Sequence, residues 1–206
     1  MSNIIERIDA LEEEIPMGLI SYEDLDKLCG AGLMTTSDGG SIPWQQIQPA
    51  SIDVTLARTI KLECSCSVDN PIIDIMKKES PNFTTKVMDD GHIMNPNDFI
   101  LASTREIFNL PDWIAAEYRL NSSLGRVGLQ HMLAAFADPG FNDATLTLEL
   151  HNTLSQHDLL IREGMKIGQM IFHRVKRVPK ERSYASIGQY NGQKLVQESL
   201  GLRKST

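Results

Sequence analysis

The sequence is poor in cysteine, with only Cys29, Cys64 and Cys66 in 206 residues. An odd number of cysteines argues against a disulfide framework, and the acidic start of the chain lacks the apolar stretch of a secretory signal. We therefore expect a reducing, cytoplasmic location. Cys64 and Cys66 are spaced like half of a metal site, but there is no second cysteine pair and the five histidines are scattered. Structural or incidental roles are favoured for these cysteines.

Long apolar runs and an excess of positive charge are also lacking. No segment approaches the roughly 18 consecutive apolar residues of a membrane helix, so no membrane partner is expected. The chain has 20 Lys and Arg against 27 Asp and Glu, a net charge of −7. This balance argues against binding to a nucleic acid polymer. The length fits one domain that buries its own core.

Two patterns of nucleotide enzymes are missing. No glycine-rich turn joins a strand to a helix, which argues against a Rossmann fold. The zinc deaminase pattern, His-x-Glu followed by Pro-Cys-x-x-Cys, is also absent. Any deamination by this chain would have to proceed without zinc.

The hydrophobic pattern predicts two short helices followed by strands. Residues 3–15 have the apolar spacing of an amphipathic helix, with a role in packing or subunit contact. A second helix is predicted from a Ser21 capping box to near Cys29, with Gly30 as its stop.

Beyond these helices the pattern predicts mainly β structure. One helical turn is expected at 112–115, and strands are expected at 52–62, at 99–110, at 145–151 and in a final hairpin of 159–161 with 167–175. Short strands separated by turns indicate a barrel or sandwich rather than alternating βα units.

Candidate chemistry concentrates in residues 121–152. Ser122 and Ser123 begin a predicted turn or short helix, and Arg126 follows one turn later. Hydroxyl groups, backbone donors and a guanidinium in this arrangement could hold phosphate oxygens. A helix cap with a surface arginine explains the same pattern.

Two carboxylates follow in the same stretch. Asp138 lies in an Asp-Pro-Gly turn, where an aspartate is ordinary turn chemistry. Glu149 lies on the polar face of the alternating strand 145–151, and a partly buried carboxylate there could accept and return a proton. His131 and His151 lack a Ser or Cys partner at a recognisable spacing, so polar filling is expected of them.

Six ordered blocks together carry a family resemblance. They are QPASIDV (48–54), FILAST (99–104), SSLGRVGL (122–129), DPGF (138–141), LTLE (146–149) and GMKIGQ (164–169). In order and spacing, from about residue 18 to 193, the chain resembles the dCTP deaminases of the dUTPase superfamily, which include bifunctional dCTP deaminase/dUTPases. The resemblance is much more specific than any one block.

The resemblance implies an architecture and partners. It implies a mainly β, distorted β-barrel of the dUTPase-like (β-clip) type over residues 1–178, with a helical segment at about 3–30. A mobile tail, residues 179–206, would close over the nucleotide. The implied assembly is a homotrimer with active sites at the interfaces. The implied cofactor is Mg²⁺ bound through the triphosphate, with no zinc and no metal ligands from the protein.

The implied reaction is zinc-independent hydrolytic deamination of dCTP to dUTP and ammonia, followed in bifunctional members by hydrolysis to dUMP and pyrophosphate. Glu149 would shuttle protons for a water that attacks C4 of cytosine. Ser122 and the backbone at Ala134 would position that water, and Arg126 would stabilise the developing charge. Asp138 would activate a water for attack on the α-phosphate.

The same resemblance implies the binding residues. Ser123 would hold phosphate, Phe141 would lie under the deoxyribose, and Gln193 would lie near the triphosphate. Tyr184 and the segment 188–193 would form a lid. The remaining substrate-binding candidates are Phe136, Gln169 and Tyr190.

The chain departs from the family pattern at a few positions. Asn121 and Gln189 replace basic residues, with Arg119 or Lys194 as candidate substitutes, and Leu133 replaces a threonine beside the cytosine site. One extra residue lies between Asp138 and Glu149 and would shift Glu149 along its hairpin. Three alternatives stay open: a dUTPase-like pyrophosphatase, a deaminase of a modified cytosine nucleotide, and a noncatalytic trimeric nucleotide-binding module.

Overall fold

The computed structural model describes residues 3–64, 72–134 and 136–201, so Cys66 of the candidate half metal site lies outside the described residues. The α-helices are α1 (Ile4–Asp9), α2 (Tyr22–Ala31), α3 (Ser122–Arg126) and α4 (Tyr184–Ile187). Single 3-10 turns occur at Glu12–Glu14, Trp44–Gln46, Ile75–Lys77 and Lys180–Arg182.

Most of the regular structure is β. The strands are β1 (Gly18–Leu19), β2 (Met34–Thr35), β3 (Ile47–Gln48), β4 (Ser51–Thr55), β5 (Thr59–Glu63), β6 (Phe83–Val87), β7 (His92–Met94), β8 (Phe99–Ser103), β9 (Ile107–Asn109), β10 (Ile114–Leu120), β11 (Leu129–His131), β12 (Phe136–Ala137), β13 (Asn142–Ala144), β14 (Thr147–Asn152), β15 (Leu159–Ile161) and β16 (Lys166–Arg174).

Two larger antiparallel sheets carry the fold. The first has the order β12-β10-β16-β4-β3, with β1 also on β16, and the second has the order β11-β14-β8-β5-β6. The small sheets are β13-β9-β2 and β15-β7. Within the described residues the pairing does not close into one ring. The predicted mainly β fold is confirmed. Its distorted sheets are consistent with the expected barrel type, although they stay open in the described part of the chain.

The alternation predicted around Glu149 is confirmed. Along β14, Leu148 and Leu150 are fully buried, while Thr147, Glu149 and His151 are half-buried. Thr145 was expected on the polar face but is buried, because its N–H donates to the carbonyl of Gln193 in the C-terminal segment. A chain segment distant in sequence therefore covers this position.

The first predicted helix is too long. It ends at Asp9, because Leu11 and Glu14 donate to carbonyls three residues earlier and tighten the backbone into a 3-10 turn. Ile8 and Ile15 are nevertheless both fully buried. The segment therefore packs on the core of its own chain, one of the two roles expected for it.

The second helix begins after Ser21, as expected, but the Ser21 side chain makes no capping hydrogen bond. The helix continues to Ala31, and Gly30 lies inside it. Gly32, with φ 103°, ends the helix by donating its N–H to the carbonyls of Leu28 and Cys29. A left-handed C-cap favours glycine because no side chain clashes there.

Two predictions about residues 99–115 are wrong in detail. The helical turn expected at 112–115 is only a turn, because Ile114 already begins β10. The strand expected over 99–110 is interrupted after Ser103. Beyond this break, the buried carboxylate of Glu106 accepts hydrogen bonds from the N–H and hydroxyl of Thr55.

The prediction that residues 159–161 and 167–175 form a final hairpin is also wrong. β15 pairs with β7, whereas β16 pairs with β10 and β4. The nine-residue β16 lies between two partners in the first sheet and makes more hydrogen bonds there than it could with the three-residue β15. Adjacency in sequence did not decide the pairing.

The N-terminal segment is joined to the chain by polar contacts as well as by its apolar side chains. Trp113 donates its indole N–H to Asp9 over 2.9 Å, and Arg177 pairs with Asp9 and Glu12. No helix among the described residues is long and apolar enough to cross a membrane.

The C-terminal segment, residues 179–201, packs against the sheets. The backbone N–H of Tyr184 donates to the carbonyl of Pro139 over 2.9 Å, and Ser183 donates its hydroxyl to Asp112. Further along, Val196 is buried. The segment therefore lies next to the Asp138 turn and the strand of Glu149.

Candidate active site

A cavity of about 520 Å³ lies between the second sheet and the C-terminal segment. Strands β8, β12 and β14 contribute to its walls. Seven of the residues singled out by sequence line it: Ala134, Phe136, Phe141, Glu149, Tyr184, Tyr190 and Gln193. We refer to it as the Glu149 cavity.

Glu149 lines this cavity from β14. Its strand pairs regularly with β8, where Leu101 is its partner. The side chain is 27% exposed, and its Oε2 lies 3.2 Å from Nε2 of the buried His131. Neither atom has a well-aligned hydrogen bond among the described residues. The carboxylate is thus held close to a polar ring without being fully paired by it.

The His131 ring is itself fixed from two sides. Its Nδ1 accepts the backbone N–H of Leu133 over 3.2 Å, so in a neutral ring the proton is on Nε2 and faces Glu149. The Tyr118 ring lies 4.7 Å from it, centroid to centroid, and the Tyr118 hydroxyl donates to the carbonyl of Ile167. His131 was expected to be polar filling, but its ring nitrogen lies within 3.2 Å of the candidate acid.

Burial raises the pKa of the Tyr118 hydroxyl, so this group stays protonated and acts as a donor near neutral pH. A side chain at Gly168 would overlap the Tyr118 ring. The absence of a side chain at Gly168 therefore allows Tyr118, and through it His131, to pack behind Glu149.

Aromatic rings form one wall of the cavity. Phe141 is buried and contacts Tyr184 edge-on, with the ring centroids 5.6 Å apart. Phe136 also lines the cavity and is 61% exposed. Such rings provide apolar surface for the flat parts of a small ligand.

The C-terminal segment attaches directly to the strand of Glu149. Gln193 donates through Nε2 to the carbonyl of Thr145 over 2.7 Å, and the Thr147 hydroxyl accepts the N–H of Gln197 over 3.2 Å. The Oε1 of Gln193 is buried without a hydrogen-bond partner in the described part of the chain. Thr147, two residues before Glu149, was not among the sequence candidates.

The candidate phosphate-binding residues lie elsewhere. Ser122, Ser123 and Arg126 are exposed on the five-residue α3, and none of them lines the Glu149 cavity. Their side chains have no hydrogen-bond partner among the described residues. Asn121, which stands where the family has a basic residue, caps α3 by accepting the Ser123 N–H over 2.9 Å. Asn121 therefore has a structural role.

Two other candidates also lie outside the cavity lining. Asp138 is exposed on its turn, next to the lining residue Ala137. Gln169 lies on β16 opposite Arg119, and Arg119 is three residues before the start of α3. Gln169 therefore lies near the start of α3 and does not line the Glu149 cavity.

The segment between Asp138 and Glu149, where one extra residue was expected, contains an irregularity. The register between β13 and β9 shifts between Asn142 and Ala144, where Asp143 has φ 53°. This irregularity lies before β14, which pairs in register from Thr147 to His151. A bulge of this kind is a place where a strand can take up an additional residue, and the shift of Glu149 stays a prediction.

The structure also shows the surroundings of Leu133, which departs from the family pattern, and of the candidate substitutes Arg119 and Lys194. Leu133 has φ 59°, an uncommon conformation for a residue with a side chain, and it is exposed beside Ala134. Lys194 pairs with Asp143, and Arg119 pairs with Glu117 over 2.8 Å. Neither basic side chain lines the Glu149 cavity.

A mainly β fold, with a strand-borne glutamate in a cavity covered by the chain's own C-terminal segment, defines a protein with a site for a small ligand. Comparison with known proteins makes the class specific. A family model described as "dCTP deaminase-like" matches residues 20–175. The chain belongs to this family, which confirms the resemblance seen in the sequence.

The relatives in this family are similar over most of their length. A protein of Leifsonia xyli named "dCTP deaminase, dUMP-forming" is 38% identical over 187 residues, covering 85% of this chain and 87% of the relative. A protein of Persephonella marina with the same name is 38% identical over 151 residues, covering 72% and 79%.

A solved structure supports the fold. The 2'-deoxycytidine 5'-triphosphate deaminase of Agrobacterium tumefaciens matches with a TM-score of 0.60 and 17% identity. The match covers 77% of this chain and 48% of that one, so the chain spans about half the length of that structure. At this identity the likeness shows the fold alone.

Proposed function

We propose that this protein deaminates dCTP to dUTP with release of ammonia, and then hydrolyses the product to dUMP and pyrophosphate. The observation that carries the proposal is the half-buried Glu149 carboxylate in a cavity lined by aromatic rings, beside the buried His131. The names of the family's curated relatives support the same reaction.

The chemistry requires one group that both takes and returns a proton. Water is a poor nucleophile near neutral pH, so Glu149 would accept a proton as the water oxygen bonds to C4 of cytosine. The C4–N4 bond then breaks, and Glu149 would return a proton to the amine, which leaves as ammonia. His131 would orient the carboxylate through Nε2.

We propose that a neighbouring subunit completes the site, in a homotrimer. The described lining of the Glu149 cavity contains no Lys, Arg or His, whereas Arg126 is exposed on α3 and has no partner among the described residues. A triphosphate needs cationic and hydroxyl donors. The neighbour's α3 would supply them: Arg126 would stabilise the developing charge, Ser122 would position the water and Ser123 would hold phosphate.

The remaining binding roles follow from the cavity and its surroundings. Phe141 would lie under the deoxyribose, with Ala134 and Phe136 near the base. Residues 179–206, including Tyr184, Tyr190 and Gln193, would act as the lid. Gln169 would contribute from the neighbour, together with α3.

We propose that Mg²⁺ enters with the nucleotide. The described residues include no group of three or more His, Cys, Asp or Glu side chains that could hold a metal ion. The triphosphate and water would therefore supply most of the ligands, as is common for Mg²⁺ at nucleotides. When bound, the ion would neutralise part of the phosphate charge.

The second reaction step is assigned to Asp138. It is exposed on the turn beside the cavity, where a nucleotide reaching towards α3 of the neighbour would pass. The Asp138 carboxylate would take a proton from a water that attacks the α-phosphate, and pyrophosphate would leave.

The test is to mix the protein with Mg²⁺ and dCTP and to measure ammonia, dUMP and pyrophosphate. We expect all three products in equal amounts. Ammonia without pyrophosphate would remove the second step, and no ammonia would contradict the deaminase. Parallel reactions with dUTP and 5-methyl-dCTP would identify a pyrophosphatase or a deaminase of modified cytosine. Nucleotide binding without any product would indicate a noncatalytic module.

A further inference from the structure

The Glu149 cavity is negatively charged on its own. Among the described residues that line it, Glu149 and Glu198 are the charged ones, and both are acidic. Our inference deepens the proposed function, since a triphosphate entering such a cavity needs cations close to its phosphates. Within the same chain, one lysine reaches the edge of this cavity.

That lysine is Lys61 on β5. Its ammonium lies 2.6 Å from Oε1 of Glu198, with side-chain exposures of 19% and 31%. The other lysines that form ion pairs in the described part of the chain are at least 47% exposed. Lys61 is therefore unusually buried for a lysine and is directed at a residue of the cavity wall.

A second cavity, of about 440 Å³, adjoins the first. Lys61, Thr59 and Thr85 line it, and Thr85 is the cross-strand partner of Lys61. Gln193 and Gln197 line both cavities. Residues 193–198, which we call the strap, thus separate the Glu149 cavity from a space lined by hydroxyl groups and an ammonium.

The strap has other attachments besides the ion pair. Gln193 donates a hydrogen bond to the carbonyl of Thr145, just before β14, and the N–H of Gln197 donates to the hydroxyl of Thr147 on β14. Val196 is buried. These contacts are neutral, so the strap does not depend on the Lys61–Glu198 pair alone. The ammonium could exchange its carboxylate for another anion without releasing the strap.

We propose that Lys61 binds the triphosphate of the nucleotide, and that Glu198 is an internal competitor which occupies the Lys61 ammonium until the nucleotide arrives. The carboxylate then stands where a phosphate oxygen will bind. Asn121 and Gln189 are uncharged and replace basic residues of the family pattern. Lys61 would supply part of the positive charge that is missing at these two positions.

A purely structural explanation makes a different prediction. If the ion pair served only to fasten the strap, removing either partner would loosen the strap and weaken nucleotide binding in both cases. If Glu198 competes with phosphate, removing Lys61 weakens binding and removing the Glu198 charge strengthens it. The sign of the Glu198 effect therefore separates the two explanations.

The experiment is calorimetric titration of full-length protein with dCTP and Mg²⁺, in a Glu149→Gln background so that the nucleotide is not consumed. We expect Lys61→Met, which keeps the apolar stem, to weaken dCTP binding about tenfold, the loss typical of one charged hydrogen bond. The effect on dCMP should be smaller. Glu198→Gln should tighten dCTP binding, and Lys61→Arg should largely retain it.

The matched control is Lys27→Met, which removes a lysine paired with Asp24 and does not line either cavity. It should leave the dCTP affinity unchanged. Unchanged dCTP affinity in Lys61→Met, or weaker binding in Glu198→Gln, would overturn the inference while leaving the deaminase intact. Absence of dCTP binding in every variant, including the Glu149→Gln parent, would also overturn the inference. Ammonia release by the wild-type protein tests the deaminase separately.

Discussion

The Glu149 cavity and the surface of α3 are opposite in character. The cavity is acidic, lined by aromatic rings and covered by the C-terminal segment, and its acid is packed against His131. The α3 surface displays two hydroxyls and Arg126 in exposed positions, without hydrogen-bond partners in the described part of the chain. The described cavity lining has acidic but no basic side chains, whereas α3 has a basic but no acidic side chain.

This difference agrees with the proposed division of the nucleotide site between chains. The base and the attacking water need a dry, shaped pocket with a proton acceptor, and the phosphates need donors and positive charge. One chain places these two sets of groups in different regions. An assembly of several chains brings them together if α3 of one chain faces the cavity of the next.

The largest effect is expected at the acid of the cavity. Glu149→Gln keeps the shape of the side chain but removes the proton acceptor, so deamination should fall by about 10³-fold or more. The measurement is the initial rate of ammonia release from dCTP. Glu163→Gln, an exposed acid that does not line the cavity, is the control and should be fully active. Full activity in Glu149→Gln would show that another group takes the proton.

The next effect is expected on α3. Arg126→Ala should lower kcat by about 10²-fold, because a charged donor to the transition state is lost. The midpoint of thermal unfolding should not change, since the side chain is exposed and has no hydrogen-bond or ion-pair partner in the described part of its own chain. Arg162→Ala, another exposed arginine, is the control. An Arg126→Ala protein with normal kcat would remove α3 from the site.

A smaller effect is expected at His131, which supports the acid. His131→Gln places an amide near Glu149, and His131→Asn places one near the Leu133 N–H. We expect His131→Asn to lower kcat about tenfold with little change in KM, and His131→Gln to lower it less. Equal losses in both variants would mean that the Leu133 contact matters as much as the Glu149 contact.

The smallest effect concerns how the C-terminal segment is held beside the cavity. Gly140 has φ 91°, and a side chain there would collide with the Ser183 hydroxyl and lie 2.9 Å from the Ala185 nitrogen. Gly140→Ala should destabilise the fold by about 1–3 kcal/mol.

Gly39→Ala is the matched control for this prediction. Its φ is 81°, but its added side chain would meet nothing within 4 Å. Its unfolding midpoint should therefore fall less than that of Gly140→Ala. Equal decreases in the two unfolding midpoints would show that backbone strain, and not the contact with the C-terminal segment, causes the effect.

The two regions were predictable from the sequence to different degrees. The alternation around Glu149 predicted the strand and its buried leucines, and the pair Ser122-Ser123 predicted a turn or short helix at α3. Both patterns are local. The ordered blocks then indicated the family, although their site roles stay predictions.

The contacts between distant segments were not predictable. His131 reaches Glu149 because β11 pairs with β14, and nothing local in the sequence specifies that pairing. The covering of Thr145 and the attachment at Thr147 likewise come from residues 193–197, which lack an apolar period. Such contacts depend on the packing of the whole chain, as the misplaced hairpin at β15 and β16 also illustrates.

The division of the site between chains is tested most directly by mixing two inactive variants. Glu149→Gln retains Arg126, and Arg126→Ala retains Glu149. After subunit exchange in equal amounts, about a quarter of the sites should combine both intact halves, so activity should return to about a quarter of the wild-type value. If exchange is verified and the mixture stays as inactive as its components, the site lies within one chain and the account is wrong.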